Sequence, residues 1–262
     1  MSKEGSVSKE ARRSRRDFIR ASSVFGAGLG TGLAMISCRR SGGSESNRTA
    51  NAGSETKESE EAPEVTASED LMREHGVLRR ALLVYTEIVP RLRSDPRNVP
   101  PDALARTARL FRAFGEDYHE SKLEEPYIFP AVRQAGGPAA GIPDILAIQH
   151  RRGREITDYV LAAAQKGTLD AATPEPLAQA LESFVFMYGN HAAREDTIVF
   201  PAWKEILSVD QYDELGDKFE EIEQETFGAD GFDDAVREIT EIERSLGLGD
   251  LSLFTAPPPP GV

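Results

Sequence analysis

All four histidines of this 262-residue chain, His75, His119, His150 and His191, stand in separate helix-like segments. Two of them are followed by paired acids and the same closing phrase: residues 119–131 read H-E-S-K-L-E-E-P-Y-I-F-P-A and residues 191–202 read H-A-A-R-E-D-T-I-V-F-P-A. His191 and Glu195 are four apart, one turn along a single helix face. An imidazole and a carboxylate so placed can bind one metal ion, or bind one and bridge to a second. His119 and Glu124 are five apart, which in a regular helix turns them about 140° from each other. Two readings restore the register. A π-turn absorbs the extra residue, and Pro126, with no N–H to offer the carbonyl of Lys122, already disturbs the helix there. Alternatively Glu120, next to His119, is the ligand.

The metal-binding set read from these spacings is His75, His119, Glu124, His150, His191 and Glu195, with Glu120 as a further candidate. Four imidazoles with two or three carboxylates suit a pair of first-row ions. Such mixed donors favour iron, with manganese as the alternative, over calcium, and the lack of cysteine ligands argues against structural zinc. The expected cofactor is two iron ions sharing carboxylates. Glu74, Glu116, Glu125 and Asp196 read as solvated acids ahead of supports for the ligands. Tyr118, Tyr127, Tyr188 and Trp203 read as core.

The elements that position these residues are helices. From residue 68 onward apolar side chains recur at three- and four-residue steps without strand alternation, over about 68–93, 101–134, 142–166 and 174–207. Ser68-Glu69-Asp70 reads as the first cap. The second and fourth segments form a weak internal repeat offset by 71 positions, pairing Glu124 with Glu195, Phe129 with Phe200 and Pro130 with Pro201. The expected fold is all-α: an up-and-down four-helix bundle over 68–207, one or two accessory acidic helices over 208–248, and a Pro-rich tail, 249–262.

The charge of the whole chain is -13, unevenly placed: residues 1–40 carry +6 and the remainder -19. A body that acidic repels phosphate backbones, so no nucleic acid is expected as partner. Ser14-Arg15-Arg16-Asp17-Phe18-Ile19-Arg20 matches a twin-arginine export signal, followed by a weakly apolar stretch too short for a bilayer span. Met35-Ile36-Ser37-Cys38 resembles a lipoprotein processing box around the only cysteine. Residues 1–38 then read as a signal peptide and 39–67 as a Ser/Gly/Glu-rich tether. The expected location is the periplasm or cell envelope, with a membrane anchor on Cys38.

The phrases E-H-G-V-L, Y-H-E-S-K-L-E-E-P-Y-I-F-P, Q-H-R-R-G and N-H-A-A-R-E-D-T-I-V-F-P together resemble the hemerythrin-like, cation-binding domain family over about 68–207. The resemblance implies a non-haem di-iron centre in a four-helix bundle, able to meet O2, with ligands at His75, His119, Glu124, His150, His191 and Glu195. There is one departure: oxygen-carrying hemerythrins have a second histidine one turn after that of the third helix, and here the place is Arg154. Turnover, sensing or iron handling is expected ahead of reversible O2 carriage, with O2, peroxide or nitric oxide as the small ligand. A ferritin-like arrangement needs Glu-x-x-His on two helices. Only Glu116-Asp117-Tyr118-His119 provides it. No general acid or substrate pocket is legible, so no enzyme activity is assigned and no protein partner is identified. The competing reading is a metal-free or zinc-filled helical scaffold at the envelope.

Overall fold

A threonine starts the first helix. Thr66 accepts from the backbone of Glu69 through its hydroxyl, and the Glu69 carboxylate returns to the Thr66 N–H, so α1 runs Ala67–Ser94. This reciprocal box satisfies two otherwise orphaned donors. It stands two residues before the expected Ser68 cap. Ser68 is instead buried: its N–H donates to the Tyr212 hydroxyl, which in turn donates to Ser68 Oγ. Two hydroxyls separated by 144 positions thus outcompete a local cap.

The computed structural model describes residues 65–165, 174–228 and 230–260, all within one compact unit, Val65–Val262. The twin-arginine motif, Cys38 and the tether up to residue 64 lie outside the described residues. Among the described residues there is no strand, and no helix is long and apolar enough to cross a membrane.

Pro101 opens the second rod at a position where its missing N–H costs nothing. The rod is α2, Pro101–Leu110, then a π-helical stretch, Phe111–Ile128, then α3, Phe129–Ala135. It stops at Gly136, whose φ of +75° suits a residue without Cβ. α4 spans Ile142–Gln165. The fourth rod is α5, Pro174–Arg194, a π-turn, Glu195–Val199, and α6, Phe200–Glu205.

Ion pairs give the rods their sense. Arg93 at the end of α1 grips Glu175 and Glu182 at the start of α5, while His75 near the start of α1 meets Asp196 beyond the end of α5. Those two rods are therefore antiparallel. Arg112 to Asp158 and Arg133 to Asp144 set the same relation between the second rod and α4. Between the rods lies a core that includes Leu71, Tyr85, Phe111, Phe114, Phe184, Phe200 and Trp203.

Two accessory helices complete the unit: α7, Val209–Phe227, and α8, Gly231–Ser245. α7 is seated by aromatic contacts, Phe219 stacking on Trp203 at 5.8 Å and Phe227 meeting Tyr118 edge-on at 5.2 Å. α8 is clamped by guanidinium forks. Arg80 reaches Thr240 and Glu243, and Arg106 reaches Glu238 and Glu241. Residues 255–260 are exposed and form no helix or strand.

Candidate metal centre

The five-residue gap between His119 and Glu124 is absorbed by backbone. Within the π stretch hydrogen bonds skip five residues, and the Phe129 N–H closes it onto the Glu124 carbonyl. A wider turn brings residues five apart to the same side. The fourth rod repeats the device 71 positions later, where the Phe200 N–H reaches the Glu195 carbonyl. Here the widening follows the His191–Glu195 turn, so that pair keeps its ordinary four-residue spacing. The spacing in the sequence offers a π-turn, as one of two readings, only at the first of these sites.

Six side chains meet at the bundle axis, all nearly sealed from solvent. On one side the Nε2 atoms of His75 and His119 are 3.0 Å apart; on the other those of His150 and His191 are 3.2 Å apart. Two carboxylates lie between the pairs. Glu124 directs one oxygen at His119 (3.2 Å) and the other at His150 (3.4 Å). Glu195 directs one oxygen at His191 (3.0 Å) and the other at His75 (3.5 Å). The result is two adjoining subsites, each offering two imidazole nitrogens and two carboxylate oxygens, and sharing both carboxylates.

The outer ring nitrogens decide what the inner ones can do. His119 Nδ1 donates to Glu74 (2.6 Å), His75 Nδ1 to Asp196 (2.7 Å), His150 Nδ1 to Glu125 (2.9 Å) and His191 Nδ1 to Gln149 (2.9 Å). An acceptor at every Nδ1 fixes the tautomer and aims the Nε2 lone pair inward, as in metal-ligating histidines. The four oxygens of Glu124 and Glu195 are buried, and among the described residues only the inward Nε2 atoms face them; no hydroxyl, amide or backbone N–H reaches them. Two buried carboxylates among four imidazoles are costly unless positive charge, from protons or from cations, sits among them. The donor set therefore fits a pair of cations.

Glu120 is not drawn into this cluster. Tyr188 donates its hydroxyl to one Glu120 oxygen (2.7 Å) and Arg154 donates to the other (3.1 Å), leaving that carboxylate on the outer side of His150, 3.8 Å from Nδ1. Tyr188 reaches it by crossing Gly153, where a Cβ would collide with the phenol ring. The acids expected to be solvated are the larger correction. Glu74 and Glu116 are fully buried, Asp196 and Glu125 partly, and three of the four orient ligand histidines. Glu116 accepts from the Thr157 hydroxyl at 2.6 Å, and burial pushes its carboxyl up to about 7. Trp203 is core, as expected, but Tyr118 and Tyr188 also serve as donors to Glu74 and Glu120. Gln149 went unrecognised; its one sequence signal was adjacency to His150.

The chain matches the hemerythrin HHE cation-binding domain across residues 66–203. It belongs to that family. It is also 45% identical over 202 residues to the uncharacterized proteins Rv1995 of Mycobacterium tuberculosis and Mb2018 of Mycobacterium bovis, covering 77% of this chain and 78% of each relative. No solved structure matches it. Within the hemerythrin HHE frame, Arg154 is turned away from the cluster. Its Nη2 donates to Glu120, Ser121, Glu125 and the Glu116 carbonyl, bracing the supporting acids.

Protons compete with cations for this centre. Burial lowers the basicity of His150, but Glu120, Glu124 and Glu125 outweigh it and push its pKa up to about 10. His119 is held well above its usual range against burial by Glu124 and Glu74, while the two histidines keep Glu124 low despite its burial. A histidine whose folded pKa exceeds its unfolded value of about 6.5 stabilises the fold fully below that value and loses the contribution as pH rises through the folded pKa. For the metal-free chain, unfolding free energy relative to His150→Gln is expected to fall between pH 6.5 and about 10, by up to about 1.4 kcal/mol per pH unit. Denaturant titrations at several pH values test this, and a flat difference across the window would show that His150 does not carry that charge. Metal binding near neutrality should release protons, so affinity weakens as pH falls.

Proposed function

We propose that this protein is exported by the twin-arginine route, held at the cell envelope through a lipid on Cys38, and binds two iron ions that meet O2, peroxide or nitric oxide. The observation that carries the metal reading is the burial of all four oxygens of Glu124 and Glu195 between two pairs of imidazole Nε2 atoms, with no other donor among the described residues. His75 and His119 would hold one ion, His150 and His191 the other, with Glu124 and Glu195 shared. Two irons held there would supply one- or two-electron exchange with small oxygen and nitrogen species. Imidazole and carboxylate donors suit iron, and manganese second.

The chain's own residues set what reaches the centre. The space among His75, His119, Glu124, His191 and Glu195 is about 10 Å³, of the order of a single ion, and is closed by Leu78, Leu82 and Ala192 with Arg79, Glu120 and Tyr188 beside them. So tight an enclosure supports a diatomic or peroxide-sized ligand over a larger substrate, since nothing bulkier could enter among these side chains. Glu74, braced by the Tyr118 hydroxyl at 3.1 Å, keeps His119 oriented. With Arg154 bracing outer acids, four imidazoles supply the nitrogen donors, which supports turnover, sensing or iron handling over oxygen carriage.

The test is metal content and visible spectrum of the full-length protein purified anaerobically and then exposed to air. Two irons per chain and a new charge-transfer band on exposure are expected. No iron, with helical content unchanged by chelators, would overturn this reading in favour of a helical scaffold. Cell fractionation with Cys38→Ala tests the anchor: the variant should leave the membrane fraction, and an unchanged distribution would refute lipid attachment.

A further inference from the structure

Beyond the metal cluster, a second concavity lies between the second rod and α4. It has a volume of about 350 Å³ and is lined by Glu125, Phe129 and Arg133 from one rod and by Ala147, Arg151 and Arg154 from the other. These triplets fall at four- and three-residue steps, so two facing helix stripes make the walls. The size is within the range of small-molecule sites. On a chain of charge -13, this cleft sets three guanidiniums against one carboxylate.

The guanidiniums have donors to spare. Arg151 uses Nη1 on the Ala147 carbonyl and has no carboxylate partner among the described residues. The hydrogen bonds that the Arg154 side chain gives to the described residues run through Nη2, leaving Nε and Nη1 without an acceptor among them. Arg133 gives Nε to Asp144, an exposed pair that water screens. Planar forks with free donors, converging on one cleft, match the geometry of carboxylate and phosphate groups.

We propose that this cleft binds a small oxyanion, the phosphate or carboxylate group of a low-molecular-weight ligand, and that its occupancy is felt at His150. The connection is short. Arg154 Nη2 holds Glu125 Oε1 at 2.8 Å, and the same oxygen accepts from His150 Nδ1 at 2.9 Å. Phe129, a wall of the cleft, stacks on the His150 ring at 5.3 Å. An anion that recruits Arg154 withdraws it from Glu125 and alters the hydrogen bond that orients His150. The binding site stands independently of the metal reading; only its coupling to the centre rests on that reading.

Calorimetric titration of the full-length protein, metal-loaded and metal-free, with inorganic phosphate and separately with succinate at constant ionic strength, tests the proposal. One-to-one saturable binding is expected in both forms and should weaken at least tenfold in Arg133→Ala/Arg151→Ala, whose metal content stays normal. Tighter phosphate binding identifies a phosphoryl-bearing ligand; tighter succinate binding identifies a carboxylate. Saturation should also shift the visible spectrum of the loaded wild type, and binding without a shift would remove the coupling. The site is overturned if neither anion saturates in the millimolar range, if the double variant binds normally, or if binding requires metal, which would put the anion on the ions themselves. Anion binding by a chain that never takes up metal would leave the cleft standing and overturn the iron reading alone.

Discussion

Replacing Glu124 and Glu195 together by glutamine is expected to reduce bound metal from two ions per chain to none, with the helical spectrum unchanged. Each carboxylate faces one imidazole of each subsite, so the pair supplies all the oxygen donors that the inner cluster offers both ions. An amide of the same shape fills the same space but carries no charge and only one good acceptor. The wild type and the variant should then separate on chelation. With each ion at about a thousand times its dissociation constant, binding stabilises the fold by about 4 kcal/mol per site. In a unit of this size 1 kcal/mol moves Tm by about 2–4 °C. With both ions removed, chelation should therefore lower the wild-type Tm by at least ~16 °C and leave the variant unmoved. Metal analysis and thermal melts with and without chelator measure both effects. Retention of two ions by the double variant would sink the centre as described.

The second large effect should be confined to one subsite. Glu74→Gln/Asp196→Asn is expected to release one ion per chain while the other stays bound. Glu74 orients His119, and Asp196 orients His75 while paired to Arg79, so both acids serve the same pair of imidazoles. His150 and His191 depend instead on Glu125 and Gln149. Loss of such an outer partner typically costs about 10–100-fold in metal affinity, because the imidazole loses both its preferred tautomer and part of its basicity. Two substitutions on one subsite compound that loss. Metal titration followed by content analysis should show one tight and one weakened site. Equal weakening of both would mean that the shared carboxylates, and not the outer acids, govern affinity.

Much of this architecture was legible before the fold was known, for a physical reason. Helix periodicity is local, so the four helical segments over 68–207, one or two accessory helices after them and the one-histidine-per-segment pattern follow from neighbouring residues alone. The His191–Glu195 pair is equally local, since four residues make one turn. The His119–Glu124 gap could be read two ways, as a π-turn or as a ligand shift to Glu120. Backbone hydrogen bonds skipping five residues supply the first, and Tyr188 and Arg154 occupy Glu120. Nothing within the helix could have chosen, because Tyr188 and Arg154 come from other rods.

Tertiary structure alone decided the roles of the outer acids. Glu74 and Asp196 look like any acids on an amphipathic helix, and only the approach of rods 45 and 121 positions away turns them into partners of His119 and His75. Ser68 lost its capping role to Tyr212 in the same way. The arginine-lined cleft is invisible in a strongly acidic sequence, since its three cations come from two rods and gather only on packing. The sequence by itself determined which donor atoms this protein owns and which helix carries each. Packing decided which nitrogen of each imidazole points inward and which carboxylates are faced by imidazoles alone, because those depend on distances between rods that no local spacing encodes.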